Sequence, residues 1–236
     1  MTPPPPTPTP IPPPLQPQPQ PQPQPLVSRA GRFLTIHDES FVGVGISSNV
    51  YIAESEGKYY IFDASGRPDL LPFIEVSGIP GGYIGAVFLT HGHYDHVAGI
   101  KCLSKLEVPV YISTKDKELM ECTTGPIPSN DISEGEGVLK SLGLAAIATP
   151  GHTPGSVCFY SAAEALLISG DTVFADGYFG RTDLPGGSDR DMLDSLKALE
   201  KLKVTSVLPG HGEYTMEGGS EAISSALSNA MAMLLP

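Results

Sequence analysis

Four apolar segments of this chain, each about the length of a β-strand, are followed at once by histidine or aspartate side chains. The segments are GAVFLT (85–90), LAAIATPG (144–151), ALLISG (165–170) and VTSVLPG (204–210). The first is followed by His91, His93, Asp95 and His96, the second by His152, the third by Asp171 and the fourth by His211. Five of the six histidines of the chain occupy these positions. Because the loops at strand ends of a layered α/β fold converge to build sites, we expect these seven side chains to lie together.

The chemistry of these side chains predicts a metal site. His91 and His93 are two residues apart and point to the same side of an extended backbone, whereas Asp95 and His96 follow in a turn and can reach a second ion. Neutral imidazole suits Zn²⁺, Fe or Mn, and carboxylates suit the bridging of two such ions. The motifs contain no cysteine, so an open catalytic site is favoured over a closed structural zinc site. The sixth histidine, His37, has no companion and is interpreted as a surface or edge-strand residue.

The order of the remaining segments predicts two packed sheets with helices outside, that is, an α/β fold. Strands and helices alternate after residue 85 and again near the C-terminus, where a helix of about a dozen residues is expected. A helix is predicted over 188–202, with Ser188 as its N-cap and apolar residues at helical spacing. The composition of 123–137, TTGPIPSNDISEGEG, predicts a loop.

The first 25 residues are almost all Pro, Thr and Gln. Proline lacks a backbone donor and fixes φ, so this segment cannot join a helix or the interior of a sheet. We expect a disordered, extended arm over residues 1–28 and one folded domain over residues 29–236. Its PPPP and PQPQ runs permit weak binding to an SH3-like or WW-like partner, and a plain spacer is the alternative. The arm has neither the basic start nor the apolar stretch of a signal peptide.

Charge and cysteine content exclude several classes of function. The net charge of −12 and the pI of about 4.8 argue against nucleic acid as a partner. The sequence has no run of about 18 apolar residues, so a membrane span is not expected. Three cysteines, an odd number without CxxC spacing, favour a reducing cytoplasmic location over a disulfide framework. Cys102, Cys122 and Cys158 are each predicted to be buried as small hydrophobic residues.

The motifs THGHYDH, PGHTPGS, SGD and PGHG, in this order, resemble those of the metallo-β-lactamase superfamily over residues 30–236. The resemblance implies a four-layer αββα sandwich and two divalent metal ions, most simply Zn²⁺, with Fe or Mn as alternatives. It implies a set of ligands: His91, His93 and His152 for the first ion, Asp95, His96 and His211 for the second, and Asp171 as a bridge. Asp63, in IFDASG, matches the first motif of the superfamily and is expected to orient the ligands.

The same resemblance implies hydrolysis by a hydroxide that bridges the two ions, with Asp95 orienting it. The stretch GRTDLPGG (180–187) resembles the glyoxalase II-like (hydroxyacylglutathione hydrolase-like) branch, which indicates a small-molecule thioester or ester substrate. Arg181 and Asp183 are expected to form an ion pair that stiffens the loop beside Asp171, with contact to substrate as the alternative. Tyr178 and Phe179 are candidates for the wall of the substrate pocket, or for simple packing.

Other reactions on this fold remain open. Full-length glyoxalase II enzymes carry a C-terminal domain with basic residues for glutathione, whereas the 25 residues after His211 contain no Lys or Arg. The carrier thiol is therefore in doubt. Persulfide dioxygenases share the fold and a similar loop, and would hold one iron through His91, His152 and Asp171. A lactonase, or a non-catalytic scaffold recruited through the proline arm, are further alternatives.

Overall fold

The computed structural model describes residues 26–37 and 47–235, so the predicted arm lies almost entirely outside the described residues. The predicted boundary at residue 28 is wrong by three residues. Residues 26–28 pair with residues 35–37 in an antiparallel hairpin. The physical reason is that the last proline of the arm is Pro25, so the backbone N–H groups that follow it are free to join a sheet.

Two sheets form the centre of the domain. The first has the order β1 (Leu26–Ala30), β2 (Phe33–His37), β3 (Val50–Ser55), β4 (Lys58–Phe62), β5 (Ile84–Phe88) and β6 (Val110–Tyr111). The second has the order β10 (Ser206–Pro209), β9 (Leu166–Gly170), β8 (Val157–Ser161) and β7 (Ala145–Ala148). Pairing is antiparallel except for β4 with β5, β5 with β6, and β9 with β10. His37 ends β2, which lies between β1 and β3, so its interpretation as an edge-strand residue is wrong.

Helices cover the outer faces of both sheets. The described α-helices are α1 (Leu70–Val76), α2 (Tyr94–Val97), α3 (Ile100–Leu103), α4 (Lys117–Thr124), α5 (Glu136–Ser141), α6 (Asp189–Leu199) and α7 (Gly219–Leu234). No helix in the described ranges is long and apolar enough to cross a membrane.

The loop predicted over 123–137 is partly wrong. Residues 132–135 form a 3₁₀ helix that leads directly into α5. A capping box lies at its start: the Asp131 side chain accepts from the Ser133 N–H at 3.0 Å, and the Glu134 side chain accepts from the Asp131 N–H at 3.0 Å. Composition hid this element because Ser, Asn, Asp and Gly are typical of loops and of helix starts alike.

Successive side chains of each strand point to opposite faces of its sheet, and the apolar ones form three layers. Phe62, Phe88 and Phe159 pack in stacked and edge-to-face contacts between the two sheets. Their neighbours Ile61 and Val87 point to the opposite face, where α1, α3 and α4 cover them. The second sheet is covered by α6 and α7. The predicted α/β fold with an αββα sandwich is therefore confirmed.

The register of α6 follows the predicted spacing. The Ser188 hydroxyl accepts a hydrogen bond from the Asp191 backbone N–H, as expected of an N-cap. Met192, Leu193, Leu196 and Leu199 are all buried against the second sheet. The helix thereby covers the outer face of β8, β9 and β10, of which β9 leads to Asp171.

Candidate metal centre

The ends of four strands bring the seven predicted ligands together at one edge of the sandwich. The strands are β5, β7, β9 and β10, so both sheets contribute. The ligand atoms form three groups, and within each group they lie no more than 4.8 Å apart. The groups are His91, His93 and His152; His91, His96 and Asp171; and Asp95, His96 and His211. The first and third groups are the two sets of three that the resemblance implies.

Asp171 lies between these two groups. Its Oδ1 is 3.3 Å from His96 Nε2, and its Oδ2 is 3.5 Å from both His152 Nε2 and His211 Nε2. The Asp95 Oδ2 atom is 3.1 Å from His211 Nε2. A single carboxylate thus faces imidazole nitrogens of both groups, which is the arrangement required of a bridge.

Hydrogen bonds at Nδ1 fix the orientation of three histidine rings. The His152 Nδ1–H donates to the Arg181 carbonyl at 2.7 Å, and the His96 Nδ1–H donates to Asp63 Oδ2 at 2.9 Å. The Thr90 hydroxyl donates its proton to Asp63, so the Thr90 oxygen accepts from His91 Nδ1–H at 3.1 Å. Fixing Nδ1–H in this way turns the Nε2 atom toward the site.

Two buried atoms of the site, His91 Nε2 and Asp171 Oδ1, make no well-aligned hydrogen bond among the described residues, although Asp171 Oδ1 lies 3.3 Å from His96 Nε2. Orphaned polar atoms are rare in folded proteins, since each one carries a desolvation cost. Both atoms point into the space that the other ligands share. Nitrogen and oxygen donors without sulfur suit Zn²⁺, Fe or Mn. The residues present therefore fit divalent metal ions.

The pKa values of the histidines differ between the two groups. Burial, with the nearby His96, lowers the pKa of His91 well below its usual value, and burial also lowers the pKa of His93. Burial opposes protonation of His211 as well, but hydrogen bonds to Asp171 and Asp95 raise its pKa to about 9. Burial raises the pKa of Asp171, yet His96 and His211 outweigh it and hold the pKa well below the usual range. Asp171 is therefore ionised in the folded protein.

Asp63 shows why the first motif of the sequence matters. Its backbone has φ of 59°, in the left-handed region, which aspartate tolerates better than most residues. This conformation places its carboxylate against the Thr90 backbone N–H at 2.8 Å and against His96 Nδ1. Asp63 therefore contacts one predicted ligand directly and a second, His91, through Thr90.

Two glycines allow the backbone to approach Asp171 closely. A Cβ atom at Gly210 would lie 2.2 Å from Asp171 Oδ1 and 2.6 Å from His96 Cε1. A Cβ atom at Gly180 would lie 2.0 Å from the Asp171 carbonyl oxygen. Both contacts are impossible, so these positions in PGHG and GRTD require glycine for steric reasons.

A buried carboxylate, Asp116, joins two of the ligand loops. Its Oδ2 accepts hydrogen bonds from the Gly92 N–H at 2.9 Å and the Thr153 hydroxyl at 2.6 Å. Its Oδ1 accepts from the Gly155 N–H at 2.8 Å. Gly92 lies between His91 and His93, and Thr153 follows His152. Asp116 therefore holds together the two loops that carry the first group of histidines.

Asn49 has a similar contact with the loop that carries His211. Its side-chain amide donates to the carbonyl oxygens of Pro209 at 3.0 Å and Gly212 at 2.9 Å. The buried Tyr51 hydroxyl donates to the same Pro209 carbonyl at 2.7 Å. These bonds fix the backbone on both sides of His211.

A cavity of about 750 Å³ opens onto the ligands. Besides the metal-site residues, its wall includes Tyr94, Leu119, Cys122, Phe174, Phe179 and Leu184. Phe179, one of the two predicted pocket residues, lines it. Tyr178 is 54% exposed and is not among the described residues that line the cavity, because the loop turns its ring outward.

The loop after β9 acts on the site through its backbone. The guanidinium of Arg181 and the carboxylate of Asp183 form the predicted ion pair, with two contacts of 2.8 Å, and both side chains are about two-thirds exposed. The side chain of Asp183 contacts Arg181, and the Arg181 carbonyl contacts His152. The exposed pair therefore stiffens the loop whose carbonyl orients a predicted ligand.

The prediction that all three cysteines are buried is wrong for Cys122, which is exposed on α4 and lines the cavity. Cys122 lies on the face of α4 opposite to the buried Met120. Burial raises the pKa of Cys158 to about 11 and raises that of Cys102.

We expect iodoacetamide at pH 7.5 to alkylate Cys122 alone, because a buried thiol with a raised pKa carries little thiolate. Peptide mass mapping after a short exposure of the folded protein would show one modified residue, and Cys122→Ala would show none. Equal labelling of Cys158 would contradict the described burial.

Sequence reasoning missed Asp116, Asn49, Thr90 and most of the cavity wall. Asp116 precedes α4 in TKDKELMEC, where an acidic residue is typical of an N-cap. Its side chain makes no capping hydrogen bond and points to the ligand loops instead. Nothing in the local pattern distinguishes these two roles, so only the tertiary structure reveals the contact.

Comparisons with known proteins find a matching family and similar proteins and structures. A family profile described as the metallo-β-lactamase superfamily matches residues 43–211. The probable metallo-hydrolase YqgX of Bacillus subtilis is 34% identical over 188 residues, which cover 72% of this chain and 87% of that protein. A hydroxyacylglutathione hydrolase of Methylobacillus flagellatus is 31% identical over 176 residues, covering 74% of this chain and 66% of that protein. The crystal structure of TTHA1623 in a di-iron-bound form matches with a TM-score of 0.65 and 33% identity, covering 77% of this chain and 96% of that chain.

Proposed function

This chain belongs to the metallo-β-lactamase superfamily, and from that premise we propose that it is a metal-dependent hydrolase of a thioester or ester bond. The observation that carries the proposal is the convergence of seven nitrogen and oxygen ligands beside a cavity, with His91 Nε2 buried and unpartnered among the described residues. An arrangement of this kind, open on one side, is typical of catalytic rather than structural metal sites.

Two ions would be held by these residues. One ion would be bound by His91, His93 and His152, and the other by Asp95, His96 and His211. Asp171 would bind both. Such ions supply a strong nucleophile at neutral pH by lowering the pKa of water, and they polarise a carbonyl group.

The contribution of the chain is orientation and proton acceptance. Thr90, Asp63 and the Arg181 carbonyl fix the imidazole rings through their Nδ1 atoms. Burial raises the pKa of Asp95, but the hydrogen bond to His211 and the charge of His96 lower it below the usual value overall. Asp95 lines the cavity, so its ionised carboxylate can orient an attacking water molecule and accept a proton from it.

Thioesters are the substrates that this set of groups suits best. In thioester hydrolysis, water adds its oxygen to the acyl carbon, the carbon–sulfur bond breaks, and a carboxylate and a thiol are formed. A thiol has a pKa of about 8.5 and leaves as the thiolate without a proton donor. The GRTDLPGG loop and the hydroxyacylglutathione hydrolase relative support the same bond class.

The proposal is tested by metal content and turnover of the same preparation. We expect about two ions per chain, zinc or zinc with iron, in protein purified without added metal or chelator, and hydrolysis of thioesters followed with a thiol reagent. Removal of the ions by chelation is expected to abolish turnover, and Zn²⁺ to restore it.

Other outcomes would contradict the proposal in distinct ways. One iron per chain with oxygen uptake on a persulfide would indicate a dioxygenase. If the protein cleaves lactones but not thioesters, the hydrolase activity is correct and the proposed thioester bond is wrong. A metal-loaded protein that turns over none of these substrates would favour a scaffold.

A further inference from the structure

The wall of the cavity next to the ligands is mostly apolar. Leu119 and Cys122 of α4, Phe179 and Leu184 of the loop after β9, and Tyr94 all line it. The volume of about 750 Å³ is that of a pocket which encloses a small organic molecule. A hydrocarbon group bound here would displace water from these side chains without leaving a polar group unpaired.

The cavity offers little to a negatively charged substrate. Arg181 is the one Lys or Arg among the described residues that line it, and its guanidinium is held by Asp183. The residues that follow His211 in the sequence, 212–236, contain no Lys or Arg at all. Recognition of carboxylate or phosphate groups generally needs such cations.

A second cleft, of about 530 Å³, lies on the other side of His211 and Phe174, the two residues that it shares with the cavity. Its wall includes the carboxylates of Asp176 and Glu213. Because the two cavities share His211 and Phe174, a substrate long enough to pass the ligands would reach this cleft. The acidic wall repels an anionic portion at that end.

Resting on the proposed hydrolase function, we propose that the substrate has an uncharged hydrocarbon acyl group, bound against Leu119 and Phe179, and a leaving group without carboxylates or phosphates. Thioesters of glutathione or of a nucleotide-bearing thiol are accordingly poor substrates. This specificity follows from the lining of the two cavities and applies whichever divalent metal is bound.

Turnover is tested with matched thioesters on the metal-loaded protein. With N-acetylcysteamine as the uncharged thiol, kcat/KM is expected to rise about tenfold or more from acetyl to hexanoyl, since each methylene in an apolar pocket adds discrimination. With hexanoyl held constant, the glutathione thioester is expected to be hydrolysed about tenfold less efficiently. A flat or falling series, or a preference for glutathione, would overturn the proposal.

Substitutions in the two cavities test which residues determine the substrate preference. Leu119→Ala is expected to lower kcat/KM about tenfold more for the hexanoyl substrate than for the acetyl substrate. Val76→Ala, at an exposed position of α1, is the matched control and is expected to change neither. Glu213→Lys is expected to improve the glutathione thioester selectively, and more so at low ionic strength.

A binding measurement separates this proposal from the proposed function. Acetohydroxamate and hexanohydroxamate bind metal through the same group and differ in the hydrocarbon chain. Calorimetric titration of the metal-loaded protein is expected to give about tenfold tighter binding of hexanohydroxamate, and Leu119→Ala is expected to remove the difference. If this difference in affinity is observed while no thioester is cleaved, the proposed hydrolase function is wrong and the proposed apolar ligand class is supported. Equal affinities would overturn the ligand class even if thioesters are cleaved.

Discussion

Asp171→Ala is expected to lower kcat/KM for a thioester by more than about 100-fold, beyond the 10–100-fold typical of residues that only support metal ligands. Its carboxylate faces nitrogens of both groups of histidines, at 3.3 to 3.5 Å. Its loss removes a ligand from both ions and leaves His96 and His211 without the negative charge that raises their pKa. Elemental analysis of the variant is therefore expected to give fewer than two ions per chain.

Asp194→Ala is the control for this substitution. Asp194 is an exposed carboxylate on α6 whose described ion-pair partner is Lys197. We expect unchanged turnover and metal content, because exposed pairs of this kind contribute little. Equal turnover in Asp171→Ala and Asp194→Ala would remove Asp171 from the metal site.

The second large effect is expected at Asp116, a positioning residue that contacts none of the predicted ligand side chains. Asp116→Asn replaces an acceptor by an N–H₂ group, which then faces a donor at Gly92, Thr153 or Gly155. The loops of His91, His93 and His152 lose their common contact. We expect the affinity for one of the two ions to fall about 10–100-fold, measured by competition with a chelator.

A purely structural role of Asp116 predicts something else. Loss of hydrogen bonds to a buried charge lowers the free energy of unfolding by about 1.5–3 kcal/mol for each bond, which thermal unfolding measures. If stability alone changes and folded Asp116→Asn still binds two ions with the original affinity, the positioning role is wrong. Glu118→Gln, an exposed change two residues along, is the matched control and is expected to alter neither quantity.

Much of the fold could be predicted because the decisive signals are local. Apolar runs that end in ligand residues mark β5, β9 and β10, and the spacing of Met192, Leu193, Leu196 and Leu199 gives α6 its buried face. The seven ligand-type residues could be identified for the same reason, since each follows a strand directly. Their grouping around Asp171 agrees with the motif order because strand ends from both sheets meet at one edge of the sandwich.

The remaining features depend on contacts between distant parts of the chain. Asp116 reaches Gly155 across 39 positions of sequence, and Asn49 reaches Gly212 across 163. The exposure of Cys122 depends on which face of α4 the first sheet covers. The capping box at Asp131 was visible as D-x-x-E, yet the surrounding composition masked it. Propensity and periodicity carry no information about such tertiary partners.

The division of the ligands between the two sheets connects metal supply to the lifetime of the protein. His91, His93, Asp95 and His96 follow a strand of the first sheet, whereas His152, Asp171 and His211 follow strands of the second. Ions held by both sets would cross-link the sheets, so they would bind the folded chain more tightly than the unfolded one. By mass action this adds about 4.1 kcal/mol when free metal exceeds its dissociation constant a thousandfold. Against a total of about 5–15 kcal/mol for an ordinary domain, a metal-starved cell would degrade this chain faster than a replete one.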